Sequence, residues 1–202
     1  MRGKFPGIFR YAAPVQSADR ADVVATALAL AAGRGDRRAL EDFVRVTQRD
    51  VWRYLAHLRD GQRADDLAQE TYLRAIRSLP SFAGRSSART WLLSIARKVA
   101  IDELRASAVR PRSSGHADWV AEADRAAPPT NRDDGLVELQ LLLDELHPDR
   151  RDALVLTQIV GLSYAEAADV LGCKIGTVRS RVARARDDLV RARDGREASG
   201  TA

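Results

Sequence analysis

"GLSYAEAADVLGCKIGTVRSRVARAR", Gly161 to Arg186, opens with a helix signal. Ser163-Tyr164-Ala165-Glu166 has capping-box spacing: the serine caps the first turn and the glutamate reaches back to it. Ala167, Ala168 and Leu171 continue an apolar face, and Gly172 interrupts it in a tight turn. A second helix is predicted from about Ile175. The small residues Ala165, Ala167 and Ala168 let the two helices cross closely. Helix, short glycine-containing turn, helix is the helix-turn-helix pattern. On the second helix Ile175, Val178, Val182, Ala185 and Leu189 share one face, which is expected to be buried. The other face carries Lys174, Thr177, Arg179, Ser180, Arg181, Arg184 and Arg186, with no acid before Asp187. A solvated surface helix normally mixes signs. A face of one sign suits the major groove of duplex DNA, where arginine reaches phosphate and guanine edges. A solvated basic helix is the plainer alternative.

Upstream, "LVELQLLLDEL" and "PDRRDALVLTQIV" read as two more helices; Pro148 fits a first helical position and Gly161 a residue past a helix end. Before them "RPRSSGHADWVAEADRAAPPTNRDDG" (Arg110–Gly135) mixes Pro, Ser, Gly and charge with no steady apolar period, the composition of a linker. Trp119 and Val120 are its apolar exception and are expected to dock elsewhere. The N-terminal half predicts four helices. The first spans about Asp22–Ala32. The second starts near Asp36, with Leu40, Phe43, Val44, Val51, Leu55 and Leu58 in helical rhythm. The third covers Ala64–Leu79, and the fourth runs from Ser87 to about Arg105 with Ser86 or Ser87 as cap. The expected fold is all-α: two small helical domains, 19–107 and 134–194, joined by a flexible linker, 108–133, with tails at 1–18 and 195–202.

Composition narrows the class. The chain has 202 residues, 45% hydrophobic, and a formal net charge of +5. Lys4, Lys98 and Lys174 are the only lysines, so the positive charge is arginine, which favours bidentate contact with phosphate and guanine. A GC-rich genome would produce the same bias. The lone Cys173 excludes an internal disulfide and points to a reducing compartment. His57, His116 and His147 lie too far apart for zinc-ligand spacing. No apolar run approaches membrane-spanning length, and the N-terminus lacks a signal-peptide core. A cytoplasmic protein without membrane insertion is expected. With no nucleophile–base pair, glycine-rich phosphate loop or metal cluster, neither an enzyme nor a cofactor is expected.

Two further stretches carry information. In "ADDLAQETYLRAI" (Ala64–Ile76), Asp65, Asp66, Gln69, Glu70 and Arg74 form one helical stripe, while Leu67, Tyr72, Ile76 and Leu79 are expected to turn inward. Spacing alone favours a solvated acidic face over an interface for a basic partner. In "PSFAGRSSARTWLLSIARKVAIDELR" (Pro80–Arg105), aromatics alternate with bases, which suits single-stranded DNA. Core placement of Phe82 and Trp91 is the alternative.

Together, "DDLAQETYLRAI", "SSARTWLLSIARKVAIDELR" and "GLSYAEAADVLGCKIGTVRSRVARAR" resemble the extracytoplasmic-function sigma factors of bacteria, most closely the actinobacterial SigC-type members. The resemblance spans about Asp22 to Arg193. It implies a promoter-recognition subunit of RNA polymerase. Asp65, Asp66, Gln69, Glu70 and Arg74 would meet the β′ clamp helices, with the β flap as a second polymerase contact. Phe82, Arg85, Ser86, Ser87, Arg89, Trp91 and Arg97 would open the −10 element and hold an extruded base. Lys174, Thr177, Arg179, Ser180, Arg181 and Arg184 would read the −35 duplex, Arg179 and Arg184 at base edges, Thr177 and Arg181 at phosphate. An anti-sigma factor, or control by its own expression, is implied at family level. Lys174 departs from a frequent proline, Arg85 from a frequent acid and Lys98 from a frequent asparagine, so promoter preference is open. An independent DNA-binding regulator is the competing reading.

Overall fold

The computed structural model of the chain describes residues 15–58, 63–109 and 134–199. The described residues contain eight α-helices and no strand: α1 (Val15–Gly33), α2 (Arg37–Leu58), α3 (Ala64–Ser78), α4 (Ala88–Val109), α5 (Asp134–Asp144), α6 (Pro148–Leu154), α7 (Tyr164–Leu171) and α8 (Ile175–Ser199).

Local chemistry sets most boundaries. Gly35 (φ 97°) turns the chain out of α1, and the Asp36 carboxylate accepts the Arg38 and Ala39 N–H groups at 2.9 and 3.1 Å, capping α2. Ser87 caps α4, its Oγ accepting the Thr90 N–H at 3.1 Å. The helix α6 does not stop at Leu154 but widens into a π turn, Val155–Ile159, closed by Val160 N–H on the Val155 carbonyl at 2.9 Å.

Three boundaries differ from expectation. The helix α1 begins at Val15, so residues 15–18 are helical rather than tail; Pro14 stands just before it, where proline costs a helix nothing. The helix α4 continues to Val109, past the expected end at Arg105, because no glycine or proline interrupts it. The helix α8 reaches Ser199 rather than ending near 194, and Arg196 in its last turn pairs with Glu145. Trp119, Val120 and the rest of 110–133 lie outside the described residues.

In the N-terminal half Phe43, Val51, Tyr54, Leu55, Leu92 and Leu93 are fully buried; in the C-terminal half Leu143, Leu154, Leu156, Val178 and Val182 are. These are one continuous apolar cluster. The halves pack directly on each other, α4 against α7 and α2 against α6 and the π turn. The sequence announces two helical units but not this docking.

The close approach of α1 to the turn after α3 gives a stability test. A Cβ at Gly33 would lie 2.6 Å from the Leu79 carbonyl oxygen, a backbone atom that cannot swing aside. Gly33→Ala is expected to cost about 2 kcal/mol, read as a lower urea midpoint at unchanged slope.

Candidate nucleic-acid interface

The helix-turn-helix forms as its sequence dictates. Ser163 Oγ accepts the Glu166 N–H at 3.2 Å, and Glu166 Oε2 accepts the Ser163 N–H at 2.9 Å and its hydroxyl at 2.7 Å. Gly172 adopts the left-handed conformation (φ 63°) that ends α7. Val178, Val182, Ala185 and Leu189 are buried as expected. Ile175 is not: it is 41% exposed, because it is the first residue of α8 and lies before the helix descends onto its neighbours.

On the outer face of α8, Lys174, Arg179, Ser180 and Arg184 are exposed and Thr177 is half-buried. The Ser180 hydroxyl donates to the Thr177 carbonyl at 3.0 Å. Lys174, Arg179 and Arg184 make no ion pair among the described residues. Arg181 differs: its Nη2 donates to Asp149 at 2.5 Å and its Nη1 lies 3.9 Å from the Cys173 sulfur. It fastens α8 to the start of α6. Arg186 donates to Gln158 at 2.7 Å.

The residues expected to meet single-stranded DNA divide into two groups. Phe82 and Trp91 stack on each other, centroids 4.8 Å apart and tilted by 38°, and both are half-buried against the core. Arg85 is exposed at the loop tip, Ser86 is half-buried, and Ser87 is committed to its cap. Arg89 and Arg97 face the C-terminal half instead of solvent. Arg89 donates Nε to Asp50 at 2.6 Å and Nη2 to the Val160 carbonyl at 2.5 Å, leaving its side chain 13% exposed. That carbonyl lies at the mouth of the π turn, where no helical N–H reaches it. Arg97 donates Nε to Asp152 Oδ2 at 2.8 Å and is 22% exposed. Tyr54 donates its hydroxyl to the other oxygen, Asp152 Oδ1, at 2.6 Å. Burial first, then the adjacent Asp152 carboxylate, push the Tyr54 phenol well above its ordinary range, so it stays a donor.

The acidic stripe on α3 is only partly free. Asp65, Asp66 and Gln69 are exposed, and Asp65 accepts the Trp52 indole N–H at 2.9 Å. Glu70 and Arg74 are half-buried and paired at 2.7 Å, with Asp102 also 2.7 Å from Arg74. Ile76 was expected inside but is 41% exposed, and Leu73 is 45% exposed. Leu67, Thr71 and Ala75 supply the inward side, and Ile76 follows Ala75 by one step of about 100°. Gln69, Leu73 and Ile76 therefore form an outer row at i, i+4, i+7. Leu73 was not anticipated, although that spacing was readable.

The chain has counterparts among known proteins. Residues 43–109 match the family described as Sigma-70 region 2, and residues 136–189 match Sigma-70, region 4. The chain is 53% identical over 171 residues to the ECF RNA polymerase sigma factor SigC of Mycobacterium tuberculosis, covering 84% of this chain and 91% of that one. It is 35% identical over 170 residues to the RNA polymerase sigma-H factor of Pseudomonas aeruginosa, covering 79% and 88%. Among solved structures it is similar to CnrH in complex with the cytosolic domain of CnrY, with TM-score 0.67 and 26% identity over 85% of this chain and 98% of that one. It is also similar to the sigma factor RpoE in complex with the anti-sigma factor NepR from Bartonella quintana, with TM-score 0.60 and 28% identity over 74% and 92%. Two helical units in this order, with a helix-turn-helix in the second and relatives matched along nearly their whole length, place the chain in the extracytoplasmic-function family of RNA polymerase sigma factors, as a SigC-like member.

Proposed function

We propose that this sigma factor meets core RNA polymerase through the outer row of α3 and reads promoter DNA with two surfaces of unequal readiness. As a member of its family it directs core polymerase to specific promoters. Residues 19–107 would act at the −10 element and 134–194 at the −35 element. The chain works by binding, without catalysis of its own, in the cytoplasm and on the nucleoid when held by polymerase.

The observation that carries the division is which arginines are free. Lys174, Arg179 and Arg184 stand open on α8 and suit a duplex immediately. Arg89 and Arg97 are engaged by the C-terminal half, so their part of the −10 surface becomes available only when the halves part. One similar structure, that of RpoE, holds the anti-sigma factor NepR. A partner of that kind would regulate this chain by competing for the same surfaces. The stand-alone regulator reading loses ground, because it assigns no role to the outer row of α3.

Transcription from a matched promoter with purified core polymerase tests the assignment. Arg184→Ala should cost about 2 kcal/mol at one −35 base pair and little at others, the mark of base readout. Arg181→Ala should lower stability without changing sequence preference. Equal loss on every promoter with Arg184→Ala would move that residue to a phosphate role. No polymerase-dependent initiation at any promoter would overturn the reading.

A further inference from the structure

The turn between α1 and α2 carries positive charge that the fold does not use. Arg34, Arg37 and Arg38 stand within 33–38, where Asp36 is the only acid. All three are exposed and make no ion pair among the described residues. Asp36 is committed to the backbone, its Oδ1 accepting the Arg38 and Ala39 N–H groups at the head of α2. Arg37 and Arg38 are the first two residues of α2, where the positive end of the helix dipole opposes a cation. Helix stability therefore does not explain them.

The fold brings two more arginines to the same end. Arg77, exposed in the last turn of α3, precedes by two residues Leu79, whose carbonyl lies against Gly33. From Leu79 the chain runs back along α1. A Cβ on Gly84 would lie 3.6 Å from Leu30, and the Ala88 N–H donates to Thr26 Oγ1 at 3.0 Å. Arg85, next to Gly84 and exposed, thus sits about one helical turn from the tip. Residues 77–87 contain no acid. Five exposed arginines from three stretches of sequence line one end of the N-terminal half, with the half-buried ring of Phe82 among them.

We propose that Arg34, Arg37, Arg38 and Arg77 form a phosphate-binding site for single-stranded DNA, continuous with the loop that carries Phe82 and Arg85. It rests on the assignment of that loop to the −10 element. Aromatic surface lies only on the loop side, so bases are held there and the tip meets the sugar–phosphate chain beyond them. A site of guanidinium groups alone reads no sequence; it adds affinity by releasing counterions. The four tip arginines are exposed rather than held in the seam between the halves, so the site is open before the halves part.

The test titrates the full chain, assembled with core polymerase, against a dye-labelled promoter premelted across the −10 element, at several salt concentrations. Arg34→Ala combined with Arg37→Ala and Arg38→Ala should make the log–log slope of affinity against salt shallower by about 2, at about 0.7 for each single-strand phosphate. The change should be the same when the promoter sequence is altered. The urea midpoint of the variant should hold or rise, because two cations leave the head of α2. An unchanged slope overturns the proposal; if affinity for core polymerase alone falls instead, the tip is a protein contact. Arg85→Ala separates that result from the reading of the loop. Weaker promoter binding with Arg85→Ala but not with the triple variant rejects the tip and leaves the loop at the −10 element. No effect from either variant rejects both.

Discussion

Asp152→Ala is expected to unfasten the two halves, the largest effect of any single change on this seam. Asp152 is buried and serves two partners from opposite oxygens, Tyr54 at 2.6 Å and Arg97 at 2.8 Å. Truncation leaves a buried phenol without its acceptor and a largely covered guanidinium without its counter-charge. Removing one member of such a buried pair costs about 3–5 kcal/mol. Both orphaned groups lie on the N-terminal side and regain water when the halves part. The loss therefore falls on docking rather than on either helical unit. A donor–acceptor dye pair at Arg38→Cys and Asp187→Cys, exposed positions on α2 and α8, should report an open chain in water, and urea unfolding should split into two transitions. Initiation at limiting sigma factor should rise, because Arg97 is no longer held by α6. Adding Arg97→Met removes the orphaned charge and should restore part of the docking. A single unshifted transition and unchanged energy transfer would show that Asp152 does not hold the halves together.

The second large effect is expected on α3. Leu73→Asp with Ile76→Asp should weaken binding to core polymerase by about 3 kcal/mol, roughly a hundredfold in Kd. Both side chains are substantially exposed, so stability should move by no more than about 0.5 kcal/mol. Apolar side chains this open cost little in the free protein and contribute only when a partner covers them. Asp66→Arg, at the solvated head of the same row, should act mainly on association rate and salt dependence. A competition titration against a labelled sigma factor separates these outcomes. Unchanged affinity in the double variant would return the α3 row to an ordinary solvent face.

Much of this was legible in the sequence, for identifiable reasons. The capping box at Ser163 and Glu166 and the turn at Gly172 are local devices, and they appear where their residues stand. The apolar period of α8 correctly buried Val178, Val182, Ala185 and Leu189. It failed at Ile175 because periodicity takes no account of where a helix begins to be covered. On α3 the error was of phase: Ile76 was read as inward when Ala75, one residue earlier, fills that place. Small residues make weak period signals, so a larger neighbour captured the assignment. The docking of the halves was not legible at all. It depends on Asp152 meeting Tyr54 and Arg97, partners 98 and 55 residues away. No local pattern marks a carboxylate for a distant arginine. The pairing of Arg181 with Asp149 escaped for the same reason, 32 residues apart.

The unpaired cations of α8 have a kinetic meaning. A closed chain that still displays Lys174, Arg179 and Arg184 can be drawn to duplex DNA and travel along it by exchanging counterions. Three such contacts give an affinity that falls with salt at a log–log slope of about −2.7, loose enough for rapid release. On the proposed reading, Arg89 and Arg97, assigned to the −10 element, stay engaged by the other half meanwhile. Searching and committing become separate acts of one molecule, and the traffic between them is set by how often the seam opens, not by how tightly the recognition helix grips.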